Sequence, residues 1–243
     1  PHLIQPHQNS QIMHPIARLQ RHIIVPFGRN QQVNVVNPFS SNTELIGENP
    51  YAYLFQPSAE TIGERAAQYI AENAADEFCM IISGPGTKDT VQAASFLAKA
   101  NELGLRVVSR EVVSKEEATR IMEILATPTE YDEFKYPSEF TLKKDSIGSI
   151  FVATDEPLIY TKVISAVETR GDSILVVGSE NWIDDTAVAF EKYQNLGVVF
   201  SAPNFVSPGN ARRRAFITKY VNRYGRVPSN LSQLGYEMML FFG

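Results

Sequence analysis

Short apolar runs alternate with amphipathic segments through the middle of the chain. Runs rich in β-branched and aromatic residues predict strands at 52–56, 77–84, 106–113, 149–154, 174–178 and 198–202. Between them, apolar residues at helical spacing predict helices at 58–73, 87–103, 114–126, 156–170 and 186–193. This alternation is typical of an α/β fold, in which a parallel sheet is covered by helices on both faces.

Capping and turn residues agree with this pattern. Ser114 and Glu117 have the spacing of a capping box, and Gly104 and Gly171 lie where two helices should end. Residues 127–145 interrupt the rhythm with two prolines, two tyrosines and mixed charge. We therefore predict a surface excursion there, containing a short hairpin.

A different order of helices and strands is predicted for the two ends of the chain. A strand is predicted at 33–36, and before it a strand at 2–5 and a helix at about 11–22. After residue 204 the sequence predicts a loop, a helix studded with aromatic residues, a Gly-containing stop, a proline and a second helix.

Four segments in this order resemble the type I periplasmic binding protein family, whose best-known members bind Leu, Ile and Val. They are the Ser-rich loop after the strand at 35–42, the aromatic strand at 49–58, the strand and polar turn at 174–182, and the helical run at 204–236. Within this family, the sequence is most similar to the extracytoplasmic domains that Bacteroidetes proteins attach to cell-wall-binding LysM repeats.

The resemblance implies two Rossmann-like lobes with parallel sheets. Residues 51–204 would form the second lobe, and residues 1–50 with 205–243 an incomplete first lobe. It implies a non-enzymatic domain that binds an amino acid, peptide or cell-wall fragment in an interlobe cleft, with hinge closure near 50–57 and 201–205. A periplasmic or cell-envelope location, peptidoglycan or envelope proteins as partners, and a homodimer through the partial lobe are further expectations. The alternative is a degenerate binding fold that acts as a scaffold or regulatory module in a peptidoglycan-associated protein.

Candidate ligand-binding residues follow from the rule that ligands of parallel sheets lie beyond the carboxyl ends of the strands. They are Ser10, Ser40, Ser41, Asn42, Thr87, Lys88, Asp155, Glu180 and Trp182. The resemblance implies that Ser10 and Ser40 or Ser41 hold a ligand carboxylate, and that Glu180 or Asp155 holds an ammonium group. Structural roles stay open for several of them: Ser40, Ser41 and Thr87 as caps or turn residues, Lys88 as a solvated charge, and Trp182 as a packing anchor.

Charge and composition exclude several function classes. The net charge of −5 gives no basic face for nucleic acid, and no apolar run approaches the roughly 20 residues of a membrane span. The single cysteine, Cys79, lies in an apolar run and is predicted to be a core residue. The four histidines, at 2, 7, 14 and 22, lack the spacing and the partners of a metal site. The stretch Gly84-Pro-Gly-Thr-Lys-Asp89 lacks phosphate-loop spacing, and no catalytic motif is present, so no cofactor and no enzyme activity are predicted.

Overall fold

The computed structural model describes residues 23–74, 77–203, 205, 207 and 209–242. In chain order the elements are α1 Val25–Gln31, β1 Val35–Asn37, β2 Ala52–Leu54, α2 Ala59–Asn73, β3 Phe78–Ser83, α3 Thr87–Leu103, β4 Arg106–Val112, α4 Arg120–Ala126, β5 Pro128–Tyr131, β6 Pro137–Phe140, β7 Ser149–Ala153, α5 Pro157–Arg170, β8 Leu175–Ser179, α6 Phe190–Asn195, β9 Val199–Ser201, α7 Ala211–Tyr224 and α8 Asn230–Phe242. Short 3-10 turns lie at Thr43–Leu45, Lys115–Glu117 and Glu180–Trp182.

The chain divides into two compact units. The sheet unit is Ala59–Ala202, and the flanking unit takes its residues from both sides of it. The sequence placed the boundaries at 50/51 and 204/205, whereas the chain divides after Ser58 and after Ala202. The first boundary is later because β2 pairs in parallel with β1, with Val35 opposite Ala52, and so belongs to the flanking unit.

A five-stranded sheet forms the centre of the sheet unit. Its order is β4-β3-β7-β8-β9, and all neighbouring pairs are parallel. Every residue of β7 is buried, as expected for a central strand covered on both faces. Alternate residues of β3 supply two cores. Met80 and Ile82 pack with residues of α4 and α5, while Cys79 and Ile81 pack with residues of α2 and α3.

Turn chemistry explains several helix ends. Gly104 and Gly171 end α3 and α5 in the left-handed region, with φ of 75° and 66°, which confirms the predicted stops. The predicted capping box is wrong in detail. The Ser114 hydroxyl lies 3.1 Å from a Glu117 carboxylate oxygen and caps no backbone N–H, and the segment is a 3-10 turn followed by α4.

The predicted excursion at 127–145 contains an antiparallel hairpin of β5 and β6. Phe140 at the end of β6 is buried in the core. The guanidinium of the buried residue Arg170 lies 5.3 Å from the centre of the Phe140 ring. It also donates hydrogen bonds to the main-chain oxygens of Leu125 and Leu142, each at 2.7 Å, and of Lys143 at 3.0 Å. The hairpin is therefore fastened to the sheet unit at its base.

In the residues that the structure describes, the flanking unit combines the β1–β2 pair with α1, α7 and α8. In the C-terminal pair, the rings of Phe216 on α7 and Tyr236 on α8 stack with centroids 4.2 Å apart. A glycine stop at Gly225 separates these two helices, as predicted. Helix α1 was not predicted, because it has only seven residues and includes Pro26 and Gly28, which have low helix propensity. The predicted strand at 2–5 and helix at 11–22 lie outside the described residues.

Candidate functional site

Three neighbouring strands of the sheet unit end close together and deliver polar side chains to one edge. Strand β3 leads through Gly84-Pro-Gly86 to Lys88 and Asp89 in the first turn of α3. Strand β7 leads to Thr154 and Asp155 before α5, and β8 ends at Ser179, which begins the turn holding Asn181. These strands are adjacent in the order β3-β7-β8, so their carboxyl ends meet. We call Lys88, Asp89, Thr154, Asp155, Ser179 and Asn181 the edge cluster.

Asp155 is the centre of the edge cluster. Its Oδ2 atom accepts a hydrogen bond of 2.8 Å from Lys88 Nζ and one of 3.0 Å from Asn181 Nδ2. Burial by itself would raise the pKa of this carboxyl group. The Lys88 ammonium and hydrogen bonds from Lys88, Ser179 and Asn181 outweigh that effect and lower the pKa below its ordinary value. Asp155 is therefore a carboxylate at neutral pH, held in place from two neighbouring loops.

The ion pair between Lys88 and Asp155 reaches solvent. Their side chains are 46% and 34% exposed. Water screens a pair with this exposure, so it contributes little to stability. It does join α3 to the loop after β7, and it presents a positive and a negative group side by side at the edge of the sheet.

The Asp89 side chain is more buried than a charged side chain in the first turn of a helix usually is. Burial raises the pKa of its carboxyl group, the nearby Asp155 and Glu156 act in the same direction, and a hydrogen bond from Thr154 and the charge of Lys88 oppose them. The position also depends on Gly84, because a Cβ atom there would overlap the Asp89 carboxylate and crowd the Thr154 hydroxyl. A charged residue in the first turn of a helix is expected to be solvated, whereas Asp89 is a half-buried carboxylate.

Trp182 has the structural role that the sequence left open. Its side chain is fully buried, and its ring stacks on Tyr160 with centroids 4.5 Å apart and an angle of 14° between the planes. A Cβ atom on Gly178 would overlap the indole, so β8 must carry glycine at that point. A ligand at the surface of the sheet edge cannot stack on a ring in this position. The prediction of Trp182 as a ligand platform is corrected to that of a packing anchor.

The other predicted residues of the sheet unit surround the edge cluster. Thr87 is exposed at the first position of α3, where its main-chain oxygen accepts a hydrogen bond of 3.0 Å from the Thr90 hydroxyl. Glu180 is half-buried in the 3-10 turn after β8. The edge cluster thus brings together two of the predicted residues, Lys88 and Asp155.

The predicted residues of the flanking unit take part in its turns. Asn37 Oδ1 accepts the main-chain N–H of Ser40 at 3.0 Å. The Ser40 hydroxyl accepts the N–H of Asn42 at 3.1 Å, and Asn42 in turn caps the turn at Thr43–Leu45. Ser41 lies half-buried between them. Ser40 and Asn42 therefore stabilise turns in this segment. Ser10 lies outside the described residues.

Sequence reasoning missed Thr154, Ser179 and Asn181. A usable signal was present, since each is polar and lies within three residues of a predicted strand end. The sequence favoured the charged Glu180 over its neighbour Asn181, but the turn after β8 directs the Asn181 amide to Asp155.

Metal and thiol chemistry find no support in the part of the chain that the structure describes. No three His, Cys, Asp or Glu residues within it are placed to hold a metal ion. Cys79 is fully buried in β3, and burial raises the pKa of its thiol to about 11. Within the same described residues, no helix combines the length and apolar character of a bilayer span.

Comparison of the coordinates with solved structures finds extensive likeness in fold. An ABC transporter substrate-binding protein from Desulfitobacterium hafniense has a TM-score of 0.58 and 16% identity over 89% of this chain and 58% of that protein. The same protein in complex with Leu gives a TM-score of 0.57. The leucine-binding protein LivK from Thermotoga maritima has a TM-score of 0.52 and 15% identity, with 89% and 58% covered. A solute-binding protein from R. palustris in complex with benzoate has a TM-score of 0.52 and 12% identity, with 88% and 55% covered.

These neighbours confirm the predicted fold class. The chain has the α/β fold of the type I periplasmic binding proteins, with parallel sheets, and it spans less than three fifths of the length of each of these structures. No protein-family model matches the sequence. No curated protein sequence matches it either.

Proposed function

We propose that this chain is a non-enzymatic binding domain for a small polar ligand that carries an ammonium group, such as an amino acid, a short peptide or an amine-bearing cell-wall fragment. The observation that carries the proposal is the position of Asp155, an ionised and partly exposed carboxylate at the carboxyl ends of the central strands. Solved structures of similar fold include substrate-binding proteins in complex with Leu and with benzoate, which supports a small organic ligand.

Asp155 keeps acceptor capacity for a ligand. Lys88, Asn181 and Ser179 supply three donors, while a carboxylate offers about four lone-pair positions. A ligand ammonium group would take the remaining position. The adjacent Lys88 ammonium, together with the N-terminus of the 17-residue helix α3, suits a ligand carboxylate. The edge cluster thus offers complementary charges for a zwitterion. Closure of a second lobe over the ligand, which the resemblance implies, stays part of this proposal.

The test is the thermal unfolding midpoint of the chain against amino acids, short peptides, sugars and muropeptides. A ligand present at about 100 times its dissociation constant adds roughly 2.7 kcal/mol of stability. We expect a dose-dependent rise with an ammonium-bearing class, a rise that Asp155→Asn abolishes and that Asp184→Asn, at an exposed carboxylate outside the edge cluster, retains. A shift of equal size in Asp155→Asn, or one produced only by ligands without an ammonium group, would contradict the proposal.

A second function is favoured by a specific observation. Hydrogen bonds within the edge cluster already use most of the acceptor positions of Asp155, and the Trp182 ring packs in the core, so these residues have structural roles without a ligand. This supports the alternative of a degenerate pocket in a scaffold or regulatory module. The thermal unfolding experiment with the panel of ligands distinguishes the two functions. If no ligand class shifts the unfolding midpoint, and circular dichroism confirms that the chain is folded, the scaffold is favoured.

The cellular setting belongs to the same proposal. The neighbours of similar fold are substrate-binding proteins of ABC transporters, which supports an extracytoplasmic location. A place in a LysM-bearing, peptidoglycan-associated envelope protein, as in Bacteroidetes, and a homodimer through the flanking unit rest on the sequence resemblance alone. Pull-down with purified peptidoglycan and sedimentation of the chain would test these two points.

A further inference from the structure

The tip of the β5–β6 hairpin concentrates exposed aromatic rings. Tyr131, Phe134 and Tyr136 lie within six consecutive residues and are 62%, 72% and 69% exposed. Single exposed aromatics are ordinary, but a group of them on one turn is typical of an interaction site. No ring in the described residues stacks on any of the three. The rings are therefore available to a partner.

The turn that carries these rings is well ordered by its own hydrogen bonds. Asp132 Oδ1 accepts the main-chain N–H groups of Phe134 at 2.9 Å and Tyr136 at 2.8 Å, and Asp132 N donates to the Tyr136 oxygen at 2.9 Å. Lys135 adopts φ of 64°, which closes the turn. With its base fastened by Arg170 and Phe140, the hairpin presents the rings on a preorganised support, which reduces the entropy lost on binding.

The charge around the rings is acidic. Residues 128–140 contain Glu130, Asp132, Glu133 and Glu139 against the single positive charge of Lys135. Asp132 is used within the turn, whereas Glu130, Glu133 and Glu139 are exposed and form no ion pair with any described residue. Aromatic faces with carboxylates beside them match the chemistry of guanidinium and ammonium side chains, which bind ring faces and pair with carboxylates.

We propose that the hairpin tip, residues 130–139, is a docking surface for a basic, arginine-rich segment of another protein chain. This surface is built on β5 and β6, and none of its residues belongs to the edge cluster. Docking there would connect the domain to a partner without occupying the ligand site. It is thus independent of the proposed ligand, and either can fail without the other.

The experiment measures fluorescence anisotropy of a labelled oligoarginine peptide titrated with the full chain. Two hairpin variants are compared: Tyr131→Ser with Phe134→Ser and Tyr136→Ser, and Glu130→Gln with Glu133→Gln and Glu139→Gln. The matched control, Glu64→Gln with Glu72→Gln and Glu191→Gln, removes the same number of exposed charges elsewhere on the sheet unit. The control matters because the chain carries a net charge of −5 and attracts any polycation.

We expect each hairpin variant to weaken peptide binding roughly tenfold or more, as the loss of several exposed cation–π or ion-pair contacts should, while the control stays within about twofold of wild type. Unfolding midpoints within a few degrees of wild type show that the hairpin variants fold. Equal weakening in the glutamate variant and the control would show that the peptide responds to net charge alone and would overturn the proposal. Wild-type affinity in the aromatic variant would also overturn it. So would concentration-dependent self-association that the aromatic variant abolishes, in the absence of peptide binding, which would identify a second copy as the occupant.

Discussion

The indole Nε1 of Trp182 donates a hydrogen bond of 3.0 Å to the main-chain oxygen of Thr154, the residue immediately before Asp155. The bond is fully buried and joins the turn after β8 to the end of β7. The hydrogen bond thus connects a core residue of the sheet unit directly to the edge cluster. The position of the Asp155 carboxylate therefore depends on a core aromatic residue that has no access to the surface.

Replacing Trp182 with Phe should destabilise the sheet unit. The variant leaves the Thr154 oxygen without its buried donor and opens space against Tyr160, so we expect a loss of about 2 to 4 kcal/mol in the free energy of unfolding. Urea titration followed by far-UV circular dichroism measures it, since the variant lacks the only tryptophan. Tyr69→Phe, at a partly exposed ring on α2, is the control. A change below about 0.5 kcal/mol in Trp182→Phe would mean that the indole is not an anchor.

The sequence predicted the sheet unit more closely than the site, for physical reasons. Helix α3 was predicted residue for residue, because its apolar spacing is helical and Gly104 ends it by local chemistry. The burial of Trp182 depends on Gly178 and on Tyr160 from a helix elsewhere in the chain, and such a contact has no local signal. The local sequence pattern determines the helices, the strands and the strand ends. Which of several neighbouring polar residues reaches the site depends on turn geometry and tertiary packing.

Replacing Asp89 with Asn should stabilise the protein at neutral pH. Because the folded pKa of Asp89 is raised above the ordinary value of 3.8, keeping the carboxylate ionised in the fold costs stability once the pH exceeds that value. The amide removes this cost, and we expect a gain of about 0.5 kcal/mol, a usual size for a partly exposed position. Below pH 3.8 both forms are uncharged and the gain should disappear. Urea titrations at neutral and acidic pH measure it, with Asp184→Asn as the control. A loss of stability at neutral pH would contradict the expectation.

The Cys79 thiol should be inert in the folded protein. Its side chain is fully buried, and burial raises its pKa to about 11, so the reactive thiolate is scarce at neutral pH. We expect an aromatic disulfide reagent to release no chromophore from the native chain and one equivalent per chain after unfolding in guanidinium chloride. Rapid reaction of the native protein would show that β3 opens readily. Ser109→Cys on the edge strand β4, at a less buried position, provides the reactive comparison.

Replacing Arg170 with Met should cause a large loss of stability that depends on pH. The Arg170 and Asp172 side chains are 0% and 2% exposed, so the variant buries a carboxylate without its partner and removes the donor from three main-chain oxygens. We expect a loss of about 3 to 5 kcal/mol at neutral pH. Burial alone would raise the pKa of Asp172, but the hydrogen bond and charge of Arg170 and the N–H of Asp145 lower it below the ordinary value of 3.8.

The sign of the pH effect follows from that lowered pKa. In the wild type, the contribution of ionised Asp172 is present above pH 3.8 and is lost as the pH falls through the lower folded value. In Arg170→Met the unpaired carboxyl group becomes protonated more readily, which relieves the cost of burying its charge. The stability difference between the two proteins should therefore shrink in acid. Urea titrations across this range measure it, and Arg65→Met, at an exposed arginine on α2, should stay within about 0.5 kcal/mol of wild type. A difference that is constant with pH would show that Arg170 acts through its main-chain contacts and Phe140 rather than through Asp172.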